Sequence, residues 1–257
     1  MRILVKLGGT LLDEAASRER LAAELTAVAR TPDLELVVVH GGGKQMTRFL
    51  TERGIESKFV GGLRVTTPEV IDAVLKVFAG SVNHTLVASL VAAGAMPVGL
   101  TGIDASLTEA EQWSPELGAV GKPVRSNAAL LELLTGAGYL PVVACVAGDK
   151  QGNIYNVNAD QMAAACAGGY HAAKLLFLTD VPGVMDASKQ ILPRLDGAAS
   201  RQLIAAGVAT GGMQAKLEAA HRALDAGVPE VVIAPGAEPG VVARLLRGEM
   251  IGTRLVA

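Results

Sequence analysis

Along this chain, short aliphatic and β-branched runs alternate with segments whose apolar positions recur at helical spacing. Ile3-Leu4-Val5-Lys6-Leu7 and Leu36-Val37-Val38-Val39-His40 read as strands. Between them, 17–30 sets Leu21, Leu25 and Val28 on one side of a helix. A second helix begins near Lys44, a polar stretch covers 54–67, and Thr67-Pro68 opens a long helix as N-cap and first-turn residue. Strands are predicted at 96–100, 139–146, 175–179 and 231–234, with helices at 128–136 and 239–247. The stretch 104–125 lacks helical periodicity and holds turn residues, so it reads as an antiparallel hairpin projecting from the sheet.

Repeated strand–helix units imply right-handed crossovers. The fold class is α/β, an open αβα sandwich around a mostly parallel central sheet. No low-complexity linker divides the chain, which predicts one domain over 1–257 with two lobes sharing the sheet. The lobe boundary falls near Gly168-Gly169, giving an N-terminal lobe of about 1–170 and a C-terminal lobe of about 171–257. Half of the 257 residues are apolar but only 3% are aromatic, so Ala, Val and Leu must build the core. That suits parallel strands covered on both faces.

A formal charge of −2 argues against a nucleic-acid partner, which needs a basic face. No uninterrupted apolar run reaches transmembrane length and no signal peptide precedes the first strand, so no membrane role is expected. Cys145 and Cys166 sit in apolar surroundings without a CxxC partner. They are expected to be buried thiols of a reduced cytoplasm, with no metal held by protein side chains.

Candidate chemistry begins where the first two strands end. Lys6-Leu7 runs into Gly8-Gly9-Thr10, and His40 into Gly41-Gly42-Gly43. Paired glycines at a strand's carboxyl end expose backbone N–H groups where open α/β sheets bind ligands, and no Cβ keeps an anion away. The neighbouring lysine makes the first turn a candidate phosphate site. Standard signatures do not fit: Val38 and Met46 stand where a Walker A loop and a GxGxxG fingerprint need glycine.

Further along, Arg64 lies in the glycine-rich turn Gly61-Gly62-Leu63-Arg64 and is a candidate carboxylate anchor. Asn156, Asn158 and Asp160 share one side, a polar row costly to bury unless paired or working. Capping of the following helix by Asn158 or Asp160 is an alternative. Thr179-Asp180-Val181-Pro182-Gly183-Val184 ends a strand, and Thr210-Gly211-Gly212 opens a helix that carries Lys216 one turn in.

The segments K-L-G-G, V-H-G-G-G, G-L-R-V-T, Y-N-V-N-A-D, L-T-D-V-P-G-V, T-G-G-M-x-x-K and G-T-R-L occur in that order across nearly the whole chain. The chain thereby resembles the amino acid kinase family, most closely the branch that acts on N-acetyl-L-glutamate. That resemblance implies transfer of the ATP γ-phosphoryl to a side-chain carboxylate, with Mg²⁺ on the nucleotide. Catalytic roles fall on Lys6, Lys216 and Asp160, the last orienting both lysines. Substrate-binding roles fall on Gly42, Gly43, Arg64 and Asn156. Nucleotide binding falls on Gly8, Gly9, Asp180, Val181, Pro182, Gly183, Val184, Met185, Val208, Ala209 and Thr210. The N-terminal lobe would hold the acyl amino acid and the C-terminal lobe ATP. An ionised carboxylate needs no general base, so His40 is expected to shape its loop, and His84, His171 and His221 receive no role.

Two departures qualify the resemblance. Arginine-inhibited members carry an extra N-terminal helix, absent here, which implies an arginine-insensitive cytoplasmic homodimer. Gly99-Leu100-Thr101-Gly102-Ile103-Asp104 lacks the lysine of the usual S-G-K-D form, so nothing catalytic belongs there. Rival readings are a kinase for N-succinylglutamate, N-acetylaminoadipate or carrier-bound aminoadipate, and an inactive ligand sensor that kept the fold.

Overall fold

Unbroken aliphatic runs must be shielded on both sides, and they occupy the middle of an eight-stranded sheet. The computed structural model describes residues 1–256. Its strands, in chain order, are β1 (Arg2–Leu7), β2 (Glu35–His40), β3 (Phe59–Val60), β4 (Leu63–Arg64), β5 (Pro97–Thr101), β6 (Thr108–Gln112), β7 (Val120–Ser126), β8 (Leu140–Ala144), β9 (Val146–Gly148), β10 (Ile154–Val157), β11 (Lys174–Thr179), β12 (Arg194–Leu195), β13 (Glu230–Pro235) and β14 (Thr253–Val256). The helices are α1 (Ala15–Ala29), α2 (Gly43–Thr51), α3 (Pro68–Val74), α4 (Asn83–Ala92), α5 (Ala129–Gly136), α6 (Ala159–Gly169), α7 (Gly197–Ala205), α8 (Gly211–Asp225) and α9 (Val241–Leu246).

The main sheet runs β12-β14-β13-β11-β1-β2-β8-β5. Every neighbouring pair is parallel except β13 with β14. Helices cover both faces, with α6 against β1, β2 and β11, and α1 packed on α4. Small residues allow this closeness. A Cβ on Gly168 of α6 would lie 2.7 Å from the Ala226 methyl that follows α8, and Ala219, Ala220 and Ala223 of α8 are fully buried. The aromatic-poor composition is thus the signature of layers packed close together.

The register places the site. Leu7 of β1 pairs with His40 of β2 and with Leu178 of β11. Both glycine turns and the Thr179-Asp180 corner therefore emerge side by side at the carboxyl edge of the sheet.

Several elements differ from expectation. The single strand at 139–146 divides at Cys145: β8 stays in the main sheet, while β9 turns into a small closed barrel with β6, β7 and β10. The antiparallel hairpin within 104–125 is present as β6–β7, but it closes into that barrel instead of projecting. The polar stretch 54–67 contains the β3–β4 hairpin. The long helix runs unbroken from Pro68 to Ala92 through a π-helical stretch, Leu75–Val82, between α3 and α4. By length and composition it could cross a bilayer, which the sequence reading did not anticipate. Its Val70, Val74, Val77, Leu86 and Leu90, however, belong to the protein core.

Thr67 caps α3, accepting from the Val70 amide at 3.3 Å, with Pro68 behind it. Thr67→Ala is expected to lower unfolding free energy by about 1 kcal/mol, read as a lower urea midpoint at unchanged slope. An unshifted midpoint would remove the cap from the stability of this helix.

Candidate active site

Lys6 points from β1 toward the first turn of α6. Its Nζ lies 2.7 Å from Asp160 Oδ1, and Lys216 Nζ, from α8, lies 3.2 Å from Asp160 Oδ2. The Lys216 contact has hydrogen-bond geometry. The Lys6 contact is the shorter of the two ion pairs. Asn158 supplies the N-cap of α6, accepting from the Asp160 amide at 2.9 Å and the Gln161 amide at 3.3 Å. The capping alternative is therefore met by Asn158, while the Asp160 carboxylate is left for the lysines. Burial pushes that carboxyl up, but the two ammonium groups outweigh it and hold it below the usual carboxylate range.

A cleft of about 200 Å³ opens beside this triad, lined among others by Lys6, Gly42, Gly43, Arg64, Asn156 and Asn158. Arg64 is only 8% exposed. Its guanidinium donates to Ser57 Oγ, to Thr47 Oγ1 at 2.8 Å and to the Gly43 carbonyl at 3.3 Å, and stacks 4.6 Å from the Phe59 ring. Among the described residues no carboxylate forms an ion pair with it. Burial lowers its pKa, yet a guanidinium stays charged in proteins. A nearly buried cation without a counter-charge is costly, and an anionic ligand would relieve that cost. Asn156 donates to Thr66 Oγ1 at 3.0 Å, and Thr66 in turn donates to the Arg64 carbonyl at 2.8 Å.

The glycine turns meet closely. A Cβ on Gly9 would lie 3.0 Å from the Gly43 nitrogen. Gly8, expected to offer its amide to phosphate, instead donates to the Leu178 carbonyl at 2.9 Å. The Leu11 amide is also used, on the Gly8 carbonyl at 3.2 Å, so the free donors of that turn are the Gly9 and Thr10 amides at the start of the short 3₁₀ segment Gly9–Leu12. Gln45 of α2 donates to the Gly9 carbonyl at 3.2 Å and ties the two turns together.

The second-half residues gather at the ends of β11 and α8. Asp180 is exposed and accepts from Thr179 Oγ1 at 3.1 Å. In the loop Val181, Pro182, Gly183, Val184, Met185, the Val184 amide donates to Thr253 Oγ1 at 2.8 Å, so β14 holds this loop. Val208 and Ala209 both donate to the Leu203 carbonyl, and Thr210 is the N-cap residue of α8. In the segment that lacks the family lysine, Asp104 accepts from the Thr101 amide at 2.6 Å and closes a turn.

Two other ionisable groups lie near the cleft. His40 is fully buried, and burial holds it down at about 4, so the ring is neutral at physiological pH. The Cys145 thiol lines the cleft, but burial pushes it up to about 12, which makes it a wall and not a nucleophile. Sequence reasoning missed Gln45, Ser57, Thr47 and Thr66. Each is an ordinary polar residue whose role comes from a tertiary partner; only Thr66, the last residue of G-L-R-V-T, lies in a segment that the sequence marks.

Similarity to known proteins agrees with this layout. The amino acid kinase family matches residues 1–235, and the chain belongs to that family. Within it, the similarity is to the acetylglutamate kinases. The acetylglutamate kinase of Solibacter usitatus is 67% identical over 256 residues, spanning all of this chain and 99% of that protein. That of Pasteurella multocida is 42% identical over 253 residues, covering 98% of each. Among solved structures, a Streptococcus mutans protein superposes with a TM-score of 0.84 at 25% identity, covering 100% of this chain and 98% of its own. The N-acetylglutamate synthase of Neisseria gonorrhoeae, seen with coenzyme A and N-acetylglutamate, superposes at 0.87 with 24% identity. All of this chain matches 59% of that one, a likeness of fold.

Because Asp160 is held ionised by its partners, its contribution to stability is complete above the unfolded carboxylate pKa and is lost as pH falls through the lower folded value. Asp160→Asn leaves the buried Lys6 and the partly buried Lys216 ammonium groups without their shared acid and is expected to cost about 3 kcal/mol at pH 7. In denaturant titrations the gap from wild type should narrow below about pH 4. A gap that stays constant into acid would mean that the carboxylate charge is not what stabilises the site.

Proposed function

We propose that the chain transfers the γ-phosphoryl of ATP to the side-chain carboxylate of N-acetyl-L-glutamate, giving N-acetyl-L-glutamyl 5-phosphate and ADP in arginine biosynthesis. The observation that carries this reading is the Lys6–Asp160–Lys216 triad beside a cleft whose second cation, Arg64, has no acid partner. Relatives named acetylglutamate kinase along the whole length support the acceptor.

In this reaction two anions approach, and the barrier is lowered by in-line positioning and by neutralised charge. Arg64, the Gly42 and Gly43 amides and Asn156 hold the acyl amino acid. Its ionised side-chain carboxylate is the nucleophile and needs no base. Lys6 and Lys216 flank the migrating phosphoryl, and Asp160 keeps both aimed at it. The Asp180–Met185 loop and Val208, Ala209 and Thr210 line the nucleotide position, with Gly9 beside the phosphates. Mg²⁺ arrives on ATP; the described residues contain no group of three or more His, Cys, Asp or Glu side chains that could hold it independently.

A cytoplasmic homodimer completes the reading. Both cysteines are free and buried, as suits a reducing compartment. The long apolar helix is only 39% buried over its most apolar part within one chain. Val91 stands exposed on it, and a second copy would cover that surface.

Hydroxylamine trapping of the acyl phosphate, run in parallel with N-acetylglutamate, N-succinylglutamate and N-acetylaminoadipate, tests the assignment. N-acetylglutamate should give the highest turnover; preference for another acyl substrate replaces the acceptor, and nucleotide binding without any turnover supports the sensor reading. Lys6→Ala and Lys216→Ala should each lower kcat about 10²-fold or more with smaller effects on KM. A variant that keeps wild-type kcat removes its lysine from the chemistry. Arg64→Lys keeps the charge but loses the planar fork, so it should chiefly raise the KM for the amino acid. A pure kcat defect would contradict an anchoring role.

A further inference from the structure

A buried asparagine in the middle of a long helix is an expensive choice, and Asn83 is 1% exposed. It stands directly after the π-helical stretch Leu75–Val82, and such stretches often accompany functional positions. Room for it is made on β5, where a Cβ on Gly99 would sit 2.2 Å from Asn83 Oδ1. Its Nδ2 lies 2.9 Å from the Val142 carbonyl and 2.9 Å from His40 Nε2. His40 Nδ1 lies 2.8 Å from the Gly41 carbonyl.

Each end of this chain of contacts is a carbonyl, which can only accept. Asn83 must therefore present its NH₂ to both Val142 and His40, His40 Nε2 must accept, and the ring proton must sit on Nδ1 and donate to Gly41. The peptide that follows Gly41 is trans, so its N–H, that of Gly42, points opposite to the clamped carbonyl. Gly42 lines the cleft, and its amide donates to no backbone carbonyl among the described residues.

We propose that Asn83 is a positioning residue for the acyl amino acid: through the His40 ring it fixes the Gly41 carbonyl and so aims the Gly42 amide into the cleft. This rests on the reading of Gly42 as a substrate donor. The polar contacts of the ring are the Asn83 amide and the Gly41 carbonyl, and burial and the Gly41 contact, not any charged side chain, set its titration.

The test has three arms, all on the full chain. In wild type, ¹⁵N-resolved imidazole spectra should show His40 protonated on Nδ1 alone, without change from pH 6 to 8.5. Protonation on Nε2 overturns the relay, whatever the enzyme turns over. His40→Asn keeps a donor near the Nδ1 position and should hold the KM for N-acetylglutamate within about threefold, whereas His40→Leu should raise it about tenfold at little changed ATP KM. Equal effects of the two overturn the clamp, since leucine is the better filler.

Asn83→Asp supplies an acceptor instead of a donor. At high pH it draws the ring proton to Nε2 and turns the Nδ1 lone pair on the Gly41 carbonyl. At low pH the doubly protonated ring restores the clamp. The KM of this variant should rise about tenfold from pH 6 to pH 8.5, whatever constant cost the oxygen now facing the Val142 carbonyl adds. A pH-independent KM overturns the role of Asn83. Failure of wild type to phosphorylate N-acetylglutamate would overturn the functional reading instead, with the tautomer still readable.

Discussion

The site depends on one carboxylate shared by two ammonium groups brought from distant parts of the chain. Asp160 is almost wholly buried, and a lone charge there would be too costly to keep. With Lys6 on one oxygen and Lys216 on the other, the cluster carries one net positive charge in a place from which water is largely excluded. Each ammonium keeps further N–H donors for a ligand. The carboxylate thus stabilises the cations before any substrate binds and fixes where they stand, so little reorganisation remains for the reaction itself.

That arrangement is possible because the sheet is parallel where it matters. Parallel strands in register end together, so β1, β2 and β11 deliver the first glycine turn, the second glycine turn and the Thr179-Asp180 corner to one edge. α6 begins close to the same edge and carries Asp160 in its first turn, capped by Asn158. The barrel of β6, β7, β9 and β10 contributes Val120, Asn156 and Val157 to the cleft. A bend at Cys145 lets β9 leave the main sheet and join the barrel whose β7 and β10 form this wall.

Much of this was legible in the sequence for physical reasons. Aliphatic runs of full burial, such as 36–39, cannot be mistaken for half-exposed strands, and a glycine cluster directly after one marks a carboxyl-edge turn. The Thr67-Pro68 helix start was legible because its signal is local. The break at Cys145 was not, since Val142 through Ala147 are equally apolar and only tertiary pairing decides which sheet each joins. β3, β4, β10, β12, β14 and α7 were missed, and of these β3, β4 and β12 have just two residues each. In the site, charged residues were found by type and motif. The amide and hydroxyl supports, Gln45, Thr47, Ser57, Thr66 and Asn83, were not, because a polar side chain acquires such a role only from whatever the fold sets beside it.

The two cationic centres of the cleft also differ in a way that bears on which carboxylate reacts. An acyl glutamate carries two. Arg64 has no acid partner among the described residues, so a carboxylate placed there forms a full ion pair and is bound as an anchor, its charge answered and its oxygens held by a fork. Lys6 and Lys216 share Asp160, so the cluster offers a carboxylate the same single net positive charge as Arg64, but spread over two ammonium groups. It attracts the carboxylate without gripping both oxygens in one planar fork. The remaining positive character is then available for the charge that gathers on the phosphoryl oxygens as the bond is made. A planar fork at the transfer position would hold the reacting carboxylate more tightly in the ground state, and only contacts that strengthen in the transition state lower the barrier. In the proposed reaction the acid shared by the two lysines fixes where they stand before the phosphoryl arrives.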